Sequence, residues 1–176
     1  NNNRIRWRMC IVAHPDTHEF IFNKIDELGF NHGIQERKHS SADVITISNK
    51  ELCERAFCIG KGAENKVVPP EILFASEEVR RSFLEGYMFG DGTMDKRGRL
   101  DSGSCSKLLT TGVRHLAVSL GYFVSMTQFQ PKTTHINGVK LKKKPKLRHT
   151  VIVNHKTNSR YDDEFIYGLV KEVNAV

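Results

Sequence analysis

The chain has 176 residues, of which 39% are hydrophobic and 27% charged, with a formal net charge of +7. That composition excludes a disordered polymer, and no apolar run approaches the roughly 20 residues that a membrane-spanning helix needs. No secretory signal opens the chain, so an intracellular, cytoplasmic protein is expected.

The charge is unevenly spread. From Ser102 to Tyr161 there is no Asp or Glu, yet eleven of the 27 Lys and Arg fall there, and the remainder of the chain is net acidic. Such a stretch suits a surface that meets phosphate, because each neutralised phosphate releases counterions. A merely solvated basic face is the plainer reading. Cys10, Cys53, Cys58 and Cys105 form no CxxC pair and no zinc-ligand spacing, and read as reduced, mostly buried thiols. The eight histidines give no metal motif.

In chain order, Arg4, Arg6 and Arg8 alternate with Ile5, Trp7 and Met9, the period of a strand with one cationic face. A helix is predicted over Pro15–Leu28, with Phe20, Ile21, Ile25 and Leu28 apolar and Gly29 as its left-handed stop. Strands follow over Gly33–His39 and Asp43–Ser48, then a short helix over Asn49–Cys58 and a Gly/Lys-rich loop to Pro69-Pro70. A helix over Ser76–Asp91 has Ser76 as N-cap and Glu77 and Glu78 at its positive end. Beyond it come a strand over Arg97–Ser104, a helix over Ser106–Leu120, and strands over Phe123–Gln130 and Arg148–His155. Strand, helix ending Leu-Gly-aromatic, strand, strand thus occurs twice, as Leu28-Gly29-Phe30 and Leu120-Gly121-Tyr122 mark. The second copy carries an insertion with Lys140, Lys142, Lys143, Lys144 and Lys146, and is preceded by the 76–91 helix. The first copy is expected to have such a helix too, and the chain begins too late to contain it.

Within the 76–91 helix, Gly86 and Gly90 lie four apart on one face. Each costs about 1 kcal/mol of helix propensity, which suggests a second helix packed through the glycines. Asp91 sits at the negative pole of the helix dipole, where a carboxylate is misplaced unless a cation compensates it. Two such helices side by side would bring two carboxylates and free carbonyls together, an oxygen-rich site for Mg²⁺ or another divalent cation. From spacing alone, a packed helix followed by an ordinary Asp-Gly turn accounts for the same residues.

The segment Leu84-Glu85-Gly86-Tyr87-Met88-Phe89-Gly90-Asp91-Gly92 resembles the LAGLIDADG motif of homing endonucleases. It agrees at the leading Leu, the packing Gly, the small residue before the acid, the acid and the final Gly. It departs at Phe89, a position that is not the metal ligand in the family. Lys66-Val67-Val68-Pro69 looks like the Lys-containing element ahead of the second motif in intein endonucleases, where the lysine lies near the scissile phosphate. The resemblance spans about residues 4 to 156. The tail from Tyr161 resembles the start of an intein's C-terminal splicing region, but the terminal His-Asn, an N-terminal nucleophile and the splicing histidine motif are absent, so this chain alone is not expected to splice.

The resemblance implies an α+β fold, a pseudo-twofold pair of αββαββ-type units whose first motif helix is missing. The first half is drawn as 1–70, the second as 71–160, and the tail as 161–176. It implies a metal-dependent, site-specific endonuclease for double-stranded DNA, monomeric in its parent and accompanied by the splicing domain of the same intein. Asp91 would hold the metal with the Gly90 carbonyl, Lys66 would stabilise charge at the phosphate, and Lys156 is a candidate for the matching role in the other half. The strand faces supply DNA contacts: Arg4, Arg6 and Arg8; Arg97 and Arg99; Gln35 and Arg37; and Gln128, Gln130 and Lys132. Arg and Gln can read base edges in the major groove, whereas Lys140, Lys142 and Arg148 are expected on phosphates. The alternative is a catalytically silent DNA-binding module on the same fold.

Overall fold

The computed structural model describes residues 7–38, 40–96, 99–136, 139–141, 144–154, 160–161 and 166–167. Arg4, Arg6, Arg97, Lys142 and Lys156 lie outside the described residues. Contacts divide the chain into two compact units, Asn1–Cys58 and Ile59–Val176, so residues 59–70 belong with the helices that follow them. No helix among the described residues is long and apolar enough to cross a membrane.

The first unit contains β1 (Met9–Ala13), α1 (His18–Glu27), β2 (His32–Gln35), β3 (Asp43–Ile47) and α2 (Lys50–Phe57). The three strands form an antiparallel sheet in the order β1-β3-β2. Register places Met9, Ile11, Ile45 and Ile47 on one side, where they meet Ile21, Phe22 and Ile25 of α1. The opposite side carries Cys10, Val12, Thr46 and Gln35. Of the expected alternation, Trp7 is half-buried and Arg8 exposed, and the paired strand starts at Met9. Pro15–Thr17 forms a 3₁₀ turn before α1, and Phe22 rather than Phe20 or Leu28 turns inward; the latter two are exposed. Gly29, at φ 72°, ends α1: its N–H bonds the Asp26 carbonyl and that of Phe30 bonds Ile25, the Schellman pattern.

The second unit begins with the turn 60–66 and the short α3 (Pro70–Leu73), followed by α4 (Glu77–Asp91), β4 (Gly92–Met94), β5 (Leu100–Ser104), α5 (Lys107–Ser119) and β6 (Phe123–Phe129). A small hairpin of β7 (His135–Ile136) and β8 (Val139–Lys140) lies in the insertion, before β9 (Arg148–Asn154); β10 (Arg160–Tyr161) and β11 (Ile166–Tyr167) pair with each other. The main sheet runs β4-β5-β9-β6, all antiparallel. Leaving out β4, the order of first, last and middle strand repeats that of the first unit. Gly121, at φ 84°, closes α5 with the same pair of bonds, Gly121 to Val118 and Tyr122 to Ala117. The core joins Leu84 and Met88 of α4, Leu109, Val113 and Leu116 of α5, and Val124, Val151 and Val153 of the sheet.

Ser106 caps α5 by accepting from the Leu109 N–H at 3.1 Å. Ser76 occupies the N-cap position of α4 without a side-chain capping bond; Glu77 there pairs with Arg81 at 2.6 Å. All four cysteines are free, but only Cys53 is buried; Cys10 and Cys58 are exposed. Cys10 is turned outward by strand parity.

Candidate active site

Asp91 is the last residue of α4, and the chain passes from it directly into β4 without a loop. Gly92 makes this corner sterically feasible. Its N–H bonds the Met88 carbonyl, and a Cβ at this position would collide with that same carbonyl. The Asp91 side chain is exposed, and no basic residue occupies the last turn of α4.

Lys66 reaches the same place from the preceding loop. Gly60, at φ 97°, permits a turn so tight that a Cβ there would strike the Asn65 carbonyl. Three contacts then fix the following residues. The Lys66 carbonyl accepts from Ser106 Oγ at 2.6 Å, the Val67 N–H bonds the Ile59 carbonyl at 2.7 Å, and the buried Val68 packs against Gly112 of α5. Lys66 and Asp91 line a common cleft of ≈ 320 Å³ with Tyr87, Gly86 and Phe83. Both also line a second cleft of ≈ 760 Å³, whose rim includes Cys105, Lys144, Lys146 and Arg148. Twenty-five positions of sequence separate the lysine from the acid, and the fold brings them together.

Tyr87 is a member of this site that sequence periodicity hides, since it reads as one more core aromatic. It stands one turn before Asp91, and its hydroxyl accepts from the buried Ser102 Oγ at 2.7 Å. Burial pushes the phenol above its ordinary pKa. The Ser102 hydrogen bond opposes the shift, the Asp91 charge adds to it and Arg148 opposes it. Tyr87 is therefore a neutral hydroxyl with both an acid and a guanidinium within electrostatic reach.

Gly86 and Gly90 are exposed, and a Cβ on either would meet no atom within 4 Å. Their side of α4 is open rather than packed among the described residues.

The expected DNA contacts divide by register. Arg148 lies on the side of the β4-β5-β9-β6 sheet away from the helices, its Nη2 donating to the Gly103 carbonyl at 3.3 Å. Gln128 aligns with His149 and shares the side of Val124 and Met126, though it is exposed at the end of the strand. Gln130 and Lys132 lie past β6, so the three do not form one strand face; the Gln130 amide instead bonds the Pro145 carbonyl. Gln35 is exposed at the end of β2, and Arg37 lies beyond it, its backbone N–H held by Asp43 Oδ1 at 3.1 Å. Arg99 closes the β4–β5 turn through Asp95, with Nε to Oδ2 at 2.7 Å. Lys132 and Lys140 are exposed.

A metal must be judged against this donor set. Among the described residues no group of three or more His, Cys, Asp or Glu could hold an ion. One exposed carboxylate at the negative pole of a helix fits Mg²⁺, which keeps several waters and takes one or two carboxylates plus phosphate oxygens; it does not fit an all-protein cage.

No family model matches the chain. It is 28% identical over 114 residues to a DNA polymerase of Acanthamoeba polyphaga mimivirus, covering 61% of this chain and 7% of that protein. It is 44% identical over 62 residues to a DNA polymerase of Thermococcus hydrothermalis (35% of this chain, 4% of that protein), and 40% identical over 79 residues to that of Thermococcus litoralis (44% and 5%). The chain thus spans only a small part of the length of these curated relatives. Among solved structures it is similar to mesophilic variants of the homing endonuclease I-DmoI, with a TM-score of 0.56 and 17% identity over 88% of this chain and 77% of that one. I-DmoI in complex with DNA and Mn gives 0.55 and 17% over the same shares, and the complex with DNA and Ca gives 0.56 and 18% over 88% and 72%. Two strand–helix–strand–strand units, an acid-ending glycine helix and this likeness along most of the chain agree: the α+β architecture is the LAGLIDADG homing-endonuclease fold.

Proposed function

We propose that the chain is the endonuclease part of an intein, and that it cleaves double-stranded DNA at a specific site by divalent-metal-assisted hydrolysis of phosphodiester bonds. The observation that carries this reading is the shared cleft of Asp91 and Lys66, flanked by Lys144, Lys146 and Arg148. The intein setting is supported by short stretches of identity to proteins named DNA polymerase, as expected of a module lodged inside a host enzyme.

In this reading the Asp91 carboxylate and the Gly90 carbonyl would hold the ion, together with a second carboxylate on a helix packed through Gly86 and Gly90. Bound there, a divalent cation supplies Lewis acidity toward phosphate and water. The main chain at Lys66 is fixed by its contacts, so the lysine stem starts from a defined point on the cleft wall, from which its ammonium can meet the negative charge that develops on the phosphate. The neutral Tyr87 hydroxyl remains a proton donor inside the cleft. Lys144, Lys146 and Arg148 hold the duplex through phosphates, while Arg8, Gln35 and the exposed sheet sides offer base contacts. Lys142, Lys156, Arg4, Arg6 and Arg97 belong to the same proposal from outside the described residues.

The test is cleavage by the full-length parent of the uninterrupted host gene across the insertion point, with Mg²⁺. Wild-type protein should cut both strands, and Asp91→Asn should bind the site and leave it intact. An Asp91→Asn protein that cuts at the wild-type rate refutes the assignment. Binding without cleavage by the wild type identifies the silent DNA-binding module instead.

A further inference from the structure

The insertion between β6 and β9 is fastened at its base. The Gln130 amide grips the Pro145 carbonyl, Lys146 forms an ion pair with Glu64, and Arg148 bonds the Gly103 carbonyl. The second of these is unusual in origin. The stretch from Ser102 to Tyr161 has no acid of its own, so the carboxylate that neutralises Lys146 comes from the 60–66 turn, two residues before Lys66. Among the described residues it is the one ion pair made by that stretch. Lys144 and Arg148, on either side of Lys146, line the larger cleft with Lys66 and Asp91, and neither makes an ion pair among the described residues.

As a stability element the pair contributes little. Its side chains are 61% and 53% exposed, and pairs of that kind are weak and screened by salt. Its chemistry is more informative. A carboxylate on Lys146 offers the same charged oxygens that a backbone phosphate would offer, at the rim of the cleft where phosphates are expected.

We propose that Glu64 is a phosphate surrogate: it occupies Lys146 in the free protein, and a duplex must displace it to engage the insertion. Glu64 then acts as a specificity-determining residue. It lowers affinity for arbitrary DNA, whose main attraction is electrostatic, and leaves a larger share of recognition to base contacts. This rests on the endonuclease reading for its ligand, the phosphate backbone of duplex DNA.

The experiment measures binding of the 176-residue chain to a random-sequence duplex without divalent metal, together with the salt needed to elute it from heparin. Glu64→Gln is expected to bind roughly two- to fivefold tighter and to elute later. Lys146→Gln should bind more weakly. In the Lys146→Gln background, Glu64→Gln should change little, because its partner is gone. No gain for Glu64→Gln overturns the proposal. So does a full gain that persists without Lys146, which would make Glu64 a general repulsive charge. A wild-type chain that binds no duplex at all is instead a failure of the endonuclease reading, and the heparin arm then still decides whether Glu64 masks Lys146.

Discussion

Gly112 and Val68 form the contact that sets the height of the Lys66 loop above α5, and exchanging their sizes tests it. A Cβ at position 112 would lie 2.7 Å from Val68 Cγ2 and 2.8 Å from Val68 Cβ, against 3.4–4 Å for ordinary contact. Rotation about χ1 cannot clear the Cβ clash, and a β-branched side chain has few rotamers to try. The backbone at Val68 must therefore retreat, and with it the residues leading back to Lys66. Overpacking of this kind costs about 1–3 kcal/mol, while Gly→Ala inside a helix returns about 1 kcal/mol. Gly112→Ala is thus expected to destabilise the chain by about 1 kcal/mol net. In a Val68→Gly background the same substitution should change sign, because the new methyl fills the space vacated and the helix still gains propensity. Urea unfolding followed by far-UV circular dichroism on the four proteins gives the coupling directly. A Gly112→Ala variant that is stabilised in the presence of Val68, or that behaves alike in both backgrounds, refutes the contact as the fixed point of the loop.

Ser106→Ala removes two bonds at once, the cap to Leu109 and the tie to the Lys66 carbonyl, and should cost about 2 kcal/mol in the same assay. Gly86→Ala should act in the opposite direction, raising the urea midpoint of this chain by an amount worth about 1 kcal/mol, since the new methyl meets nothing; a loss would show that the α4 face is covered. Tyr87 gives a pH signature. Its raised pKa means that the folded state holds the proton more tightly than the unfolded one. Its contribution is therefore complete below the ordinary value of 10.0 and is lost as pH rises through the folded value. Tyr87→Phe should flatten the alkaline limb of the stability curve measured by urea unfolding at stepped pH, and an unchanged limb would contradict the shift.

Much of the second unit was legible because its signals are local. The 76–91 helix, its acid at the end and the 106–120 helix were found to within a residue or so, since caps, glycine stops and 3.6-residue periodicity all lie within a few positions. The repeat was legible for the same reason, through two identical Leu-Gly-aromatic endings. The strand over Met9–Ala13 was not legible because that run is apolar throughout and shows no alternation in the sequence. The apolar set Phe20, Ile21, Ile25 and Leu28 omits Phe22, which α1 presents to the sheet, where it stacks on His32 at 4.4 Å between ring centres. The shared face of Gln128, Gln130 and Lys132 failed because the strand stops at Phe129. Tyr87, Ser102 and the Glu64–Lys146 pair were illegible in principle: each depends on a partner distant in sequence, and nothing in the local pattern names it.

The corner at Gly92 has a consequence for how the molecule responds to heat. Enzymes often lose activity well before they melt, because a catalytic group on a pliant segment loosens while the scaffold persists. Here the acid has no such segment. It is welded between the end of a helix and the first rung of a sheet, so it cannot wander until one of those elements frays. Warming should therefore shift the carboxylate only as the end of α4 and the edge strand β4 open. The placement of Asp91, in this arrangement, depends on the elements that flank it rather than on a loop of its own.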